Sequence, residues 1–257
     1  MANFAGEGRP LSQNGFDAAR TAIGVEDVAL WAVLSVETSG CGFLADRRPK
    51  ILFERHIFHR LTNGRFDAVA PDISAPSSGG YGQSGAPQYA RLESAVRLDE
   101  DAALQSASWG LGQIMGENHK AAGFADVKDL VTAMVESEDG QLRAMANFIE
   151  ASAMAPALRS RDWAQFARRY NGPNFAQNNY DGQLQNFCSL FTTGKLPDLR
   201  VRAAQVYLTY RGFSPHGIDG VAGENTSDAV KAFQSSMGAA PTGTIDDGLL
   251  DALARSA

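Results

Sequence analysis

The sequence predicts a mainly α-helical protein in two parts, a larger domain followed by a small bundle of three helices. Three observations carry this. Apolar residues recur at helical spacing along most of the chain, and one stretch is apolar on nearly every side, which marks a buried helix. The texture then changes after a short polar segment broken by Gly and Pro. The 257 residues are enough for one large domain and one small one. The division expected is 1–192, a linker at 193–197, and 198–257.

Taken in order, Ser12 to Ile23 spaces Phe16, Ala19 and Ile23 along one helical face, with Gly24 as the stop. Val25 to Glu37 is the buried helix. The acidic pair Glu26 and Asp27 suits its N-terminus, and Trp31, Ala32, Val33, Leu34 and Val36 leave it no polar face. Glu37 stands where that helix runs out. A carboxyl group there is partly desolvated, which raises its pKa and lets it hold a proton near neutral pH. Ile51 to Phe58 suits either a strand running into a helix or a single buried helix, and Glu54, Arg55 and His56 within it suit either an ion pair or a place beside an active site. Residues 64–88, rich in Gly, Pro, Ser and Ala, form a long loop of the functional or mobile kind, with Tyr81 and Tyr89 able to stack on sugars. Helix resumes from Tyr89 to Gln105. Ser106 to Asn118 reads as a glycine-bearing turn opening a helix, Leu130 to Glu150 as one long helix, Trp163 to Pro173 as a helix closed by Gly-Pro, and Tyr180 to Phe191 as the last helix of this part. Beyond the linker, three short helices are expected around residues 201–212, 226–237 and 245–253.

A net charge of -6 with no basic stripe argues against nucleic-acid binding. No run approaches the 18 or so apolar residues of a membrane span, and the first ten residues lack the basic start and apolar core of a secretory signal. Cys41 and Cys188 are far apart, without the spacing of a metal or redox pair. They read as free thiols of a chain made in a reducing compartment, with one long-range disulfide as the other reading. His56, His59 and His119 have no ligand spacing, so neither a metal nor a cofactor is expected.

Two groups of motifs carry a resemblance. Val201 and Gln205, Asp219-Gly220, Gly223 and Thr226, Ala229-Val230 and Phe233-Gln234 together resemble the peptidoglycan-binding module of bacterial and phage wall hydrolases. In the first part, Val36-Glu37-Thr38-Ser39-Gly40, Ser108-Trp109-Gly110-Leu111-Gly112-Gln113-Ile114-Met115 and Tyr170-Asn171-Gly172-Pro173 follow one another as in the phage-endolysin type of N-acetylmuramidase, within the lysozyme-like superfamily. The Leu52-Phe53-Glu54-Arg55-His56 run is a further hallmark of that type. Thr38 departs from the Ser usual in lytic transglycosylases but keeps the hydroxyl.

The resemblance implies a lysozyme-like α+β catalytic domain with a three-helix wall-binding bundle. It implies hydrolysis of the β-1,4 bond from N-acetylmuramic acid to N-acetylglucosamine, in a monomeric enzyme made in the host cytoplasm and released onto the wall for host lysis. Glu37 would be the catalytic acid. Glu54 is the first candidate for a second carboxylate, ahead of Asp46, Asp99, Glu100 and Asp101. Ser108, Trp109, Gly110, Gln113, Tyr170 and Asn171 would face substrate, and Gln205, Asp219, Gly220, Thr226 and Phe233 would mark the wall-binding module. Bacterial peptidoglycan is the expected partner, without stable membrane insertion. Arg47, Arg48, Lys50 and Arg55 would either attract the anionic wall or simply face solvent. Two alternatives stay open: a lytic transglycosylase giving 1,6-anhydro products, and a non-catalytic wall-binding phage structural protein. On the two-part reading, removing residues 198–257 weakens wall binding more than turnover on soluble fragments.

Overall fold

The computed structural model describes residues 4–38, 40–172 and 175–255, the side chain of Thr38 excepted. Ser39 and Pro173, each part of a motif above, lie outside the described residues, as does the Thr38 hydroxyl.

The first part is built around α2 (Asp27–Thr38), whose Ala29, Leu30, Trp31, Ala32, Val33 and Leu34 are all buried. A helix without a polar face must be enclosed. Phe16 of α1 (Gln13–Ile23) stacks on Trp31, and α1 is capped by the Ser12 hydroxyl at its start and ends on left-handed Gly24, the stop that the sequence predicts. α10 (Tyr180–Thr193) lies along α2.

The ambiguous stretch after α2 resolves into strand β1 (Ile51–Phe53) followed by α3 (Arg55–Leu61). β1 pairs antiparallel with β2 (Ala107–Trp109), and β2 with β3 (Ile114–Met115), giving one sheet of order β1-β2-β3. The segment expected to open a helix at Ser106–Asn118 is therefore a β-hairpin. Its turn contains Gly110 at φ 65° and Gln113 at φ 46°, and left-handed residues bend a chain into a hairpin and break a helix. Between β1 and β2 come α4 (Pro87–Val96) and α5 (Glu100–Gln105), separated where Asp99 caps α5.

The expected helix over 130–150 is likewise two, α6 (Val127–Glu136) and α7 (Glu138–Ala151). Ser137 is extended between them, bridges to Arg9 as a parallel β-partner, and caps α7 through its hydroxyl. A Ser followed by Glu-Asp is an N-cap signal, and here it outweighs the continuous apolar spacing. α8 (Ala155–Arg159) and α9 (Trp163–Tyr170) complete this part.

α11 (Leu199–Tyr210), α12 (Glu224–Ser236) and α13 (Asp247–Arg255) form the small bundle around Ala204, Leu208, Ala229, Val230, Phe233, Leu249 and Leu253. The bundle is docked on the first part. Val206 of α11 joins Cys41 and Phe43 in a separate apolar cluster, and the Tyr210 hydroxyl donates to the Gly8 carbonyl at 2.8 Å. Cys41 and Cys188 are both free and buried, the first in this junction and the second in the main core.

Candidate active site

Glu37 reaches the C-terminal end of α2 half-buried, between two tyrosines brought by later helices. The Tyr180 hydroxyl, on the first residue of α10, donates to Glu37 Oε1. Loss of water around the carboxyl pushes its pKa up to about 7, and the Tyr180 hydrogen bond offsets part of the rise. Tyr170, at the end of α9, feels the Glu37 charge as well. Its ring stacks on Phe166 with centroids 5.2 Å apart, and its hydroxyl donates to the Gly112 carbonyl at 2.6 Å. One tyrosine thus holds the acid, and the other ties its surroundings to the turn of the β2–β3 hairpin.

That turn is internally locked. Gln113 Nε2 donates to the carbonyls of Gly110 (2.8 Å) and Lys50 (3.2 Å), while its Oε1 accepts from the Ser108 hydroxyl at 2.9 Å. From behind, the buried Gln141 accepts the Leu111 amide at 2.7 Å and donates to the Met134 carbonyl. A β-carbon on Gly110 would strike the Gln141 side chain, so this position needs glycine for space as well as for its φ.

These contacts change the part given to several motif residues. Trp109 has no exposed surface and its indole N–H is taken by the Leu104 carbonyl, so no sugar can stack on it. Ser108 and Gly110 are buried too, and the Gln113 amide is committed to the turn. All four shape the site from beneath. Tyr89 is buried with its hydroxyl on the Pro49 carbonyl, leaving Tyr81 as the exposed tyrosine of the long loop. Asn171 is exposed at the end of α9.

Glu54 occupies a different environment, at the start of α3. His56 Nδ1 lies 3.1 Å from its carboxylate, and the Tyr81 phenol, whose pKa burial raises, is near enough for the Glu54 charge to raise it further. The remaining carboxylate candidates are engaged locally: Asp46 with Arg48, Asp99 with Arg65 and the α5 N-terminus, Glu100 with Lys128, and Asp101 with Gln105. The four basic residues named with them each have local contacts as well. Arg48 covers the Tyr89 ring, Arg47 covers Tyr210, Arg55 donates to the Ser77 carbonyl, and Lys50 is half-buried. Among the described residues no group of three or more His, Cys, Asp or Glu side chains gathers to hold a metal ion.

Residues 26–192 match the N-acetylmuramidase family model. The chain belongs to the N-acetylmuramidase family. The chain is also 41% identical to the endolysin of Burkholderia AP3 phage, whose crystal structure superposes with a TM-score of 0.66 over 72% of this chain and 71% of that one. Residues 198–253 match a peptidoglycan binding domain. No curated protein matches. The protein is therefore a peptidoglycan hydrolase with a lysozyme-like fold, a peptidoglycan-binding bundle and the cell wall as its place of action. No described helix is long and apolar enough to cross a membrane.

In the muramidase's bundle the motif residues build the scaffold. Gln205, 1% exposed, donates to Asp219 Oδ1 (2.9 Å) and Thr226 Oγ1 (3.0 Å) and accepts the Gly220 amide at 2.9 Å. Thr226 and Phe233 are buried as well. This knot fixes the Asp219-Gly220 turn, leaving Asp219 at the surface. Sequence reasoning missed Tyr180 as a partner of Glu37. Nothing local marks it, since the contact is made only when α10 lies along α2.

Proposed function

We propose that this muramidase hydrolyses the β-1,4 bond between N-acetylmuramic acid and N-acetylglucosamine, in the manner of a lysozyme-type glycosidase, with Glu37 as general acid. The observation that carries the reading is the state of Glu37: a carboxyl desolvated until its pKa is about 7 and oriented by Tyr180. Such a group keeps a proton to give to the leaving oxygen at neutral pH. Residues 1–192 cleave, 193–197 connect, and 198–257 retain the enzyme, a monomer, on the wall.

Among the described residues, burial is what raises the Glu37 pKa, and no other carboxylate adds to the rise. A carboxylate about 5 Å away, as a retaining mechanism uses, would add to it by like-charge repulsion. This favours a reaction without a close carboxylate nucleophile. Glu54, beside His56 at the start of α3, is then the candidate to activate a water from farther off. The same observation favours a second reading, lytic transglycosylation, in which the sugar's own hydroxyl closes on the anomeric carbon and no second carboxylate is needed.

Glu37→Gln should abolish the loss of turbidity of purified walls while leaving pull-down on walls intact; undiminished lysis would remove Glu37 from the mechanism. Mass spectrometry of the fragments released by the native enzyme separates the two reactions. Hydrolysis leaves reducing ends, and transglycosylation leaves products lighter by one water.

A further inference from the structure

At the junction of the two parts, the guanidinium of Arg202 leaves the small bundle and enters the interior of the catalytic part. Arg202 is on α11 and is 2% exposed; its partner Glu138, at the start of α7, has no exposed surface. The pair is bidentate, at 2.6 and 2.7 Å. Glu138 also accepts the amides of Leu11 and Gly42, each at 2.8 Å, and Arg202 Nη2 donates to the Gly40 carbonyl at 2.6 Å. Gly40 and Gly42 belong to the segment that follows Glu37 in the chain. At Gly40 (φ 103°) a β-carbon would overlap the Ile218 carbonyl, which comes from the bundle's turn. The bundle therefore touches both ends of this segment's polar support.

Apolar packing holds the segment further along, where Cys41 and Phe43 are buried against Val206 of the bundle. Beside Gly40 itself an apolar cavity of about 340 Å³ opens, lined by Leu34, Gly40, Leu111, Phe187, Ile218 and Arg202 among others, and the Arg202 hydrogen bond fixes the Gly40 carbonyl at its edge. The next turn of α7 carries Gln141, which supports Leu111 in the hairpin turn. Glu138 and Gln141 thus secure, from one helix face, the segment after the acid and the turn that Tyr170 grips.

We propose that Arg202 is a positioning residue of the muramidase site, so that the wall-binding bundle supports turnover itself besides retaining the enzyme on the wall. The guanidinium keeps Glu138 charged and fixes the Gly40 carbonyl; the end of α2 is held at the depth that desolvates Glu37. The proposal rests on the reading of Glu37 as the acid.

The test compares full-length Arg202→Met, Arg202→Lys and Arg202→Met/Glu138→Gln with the native chain on soluble glycan fragments, where wall retention plays no part. For each, kcat, KM and the pH dependence of kcat are measured per folded molecule, with folding checked by circular dichroism. Hydrogen exchange follows the Gly42 amide, and pull-down on walls is measured in parallel. Arg202→Met should lower kcat tenfold or more with KM and pull-down within about twofold, speed exchange at Gly42 and move the alkaline limb of the pH profile. Arg202→Lys, which keeps the charge but loses the fork, should recover part of kcat. The double variant removes the unpaired charge and should restore folding if Arg202→Met alone fails to fold, yet leave kcat low. A folded Arg202→Met, or a folded double variant, with native kcat and pH profile would overturn the proposal. Restoration of full turnover by Glu138→Gln would overturn it too, since the role would then be stability alone. Glu37→Gln run alongside separates the two readings: if it stays active the acid assignment fails, while exchange at Gly42 still reports whether Arg202 orders the segment.

Discussion

A carboxyl group with a pKa near 7 serves as an acid only while it holds its proton, so turnover on soluble fragments should fall as the pH rises through about 7. The Tyr180 hydroxyl stabilises the ionised form. Tyr180→Phe removes that bond, lifts the pKa of Glu37 further, and should move the alkaline limb to higher pH while lowering kcat through a less well oriented acid. A limb that stays in place or moves down would show that Tyr180 does not govern Glu37. The raised pKa also has a cost in stability. The folded state holds the proton more tightly than the unfolded chain, so stability falls as the pH climbs from the ordinary carboxyl range to about 7, and each tenfold difference in proton affinity between the two states is equivalent to about 1.4 kcal/mol. Glu37→Gln removes the group that must be ionised in a desolvated place. Above pH 8 it should make the protein more stable, by up to roughly 3 kcal/mol in denaturant titrations, with no gain below pH 4.

At the scale of the element, the β2–β3 hairpin decides how the site floor is held. Gln113→Ala takes the acceptor from the Ser108 hydroxyl and one of the donors from each of the Gly110 and Lys50 carbonyls, which keep their backbone amides, and this should cost about 1–3 kcal/mol in thermal or denaturant unfolding and reduce turnover by loosening the turn. An unfolding curve like that of the native chain would mean the amide is dispensable. This hairpin was also the least legible element in the sequence. Its strands are only three and two residues long, too short for an alternating pattern to emerge, and Gly110 to Met115 mimics the start of a helix. α1 was legible because both its ends carry local signals, Ser12 and Gly24. The break at Ser137 has a local signal, the Ser-Glu-Asp cap, but the continuous apolar spacing masks it, and the pairing with Arg9 that holds Ser137 extended comes from a part of the chain distant in sequence. The same limit applies to side chains. Glu37 could be picked out because its own neighbours bury it, whereas Tyr180, Glu138 and Arg202 take their parts from residues distant in sequence. Trp109 and Gln205 were recognisable as motif residues, but sequence could not tell that they face inward as scaffold.

At the scale of the whole molecule, two recognisable units are joined by a buried ion pair, and this alters what a truncation does. Removing residues 198–257 would take Arg202 from Glu138 and open the apolar cover of Cys41 and Phe43 to water. The shortened chain should therefore lose stability and turnover on soluble fragments together with wall binding. That reverses the outcome expected from a freely linked pair of domains. Calorimetry of the intact protein should show one unfolding transition for both parts, whose midpoint changes little with salt because the pair is shielded from solvent ions. Two resolved transitions would indicate independent units. The junction also contains a built-in timer. Cys41 is enclosed between Phe43 and Val206, and its thiol is pushed up to about 12 by burial and by the nearby Glu138 charge, so it holds almost no thiolate at neutral pH. A thiol reagent can reach it only in the moments when the bundle lifts away. The labelling rate of Cys41, in a Cys188→Ala background, would count those moments directly, and it should be orders of magnitude below that of an open thiol until denaturant or Arg202→Met frees the joint.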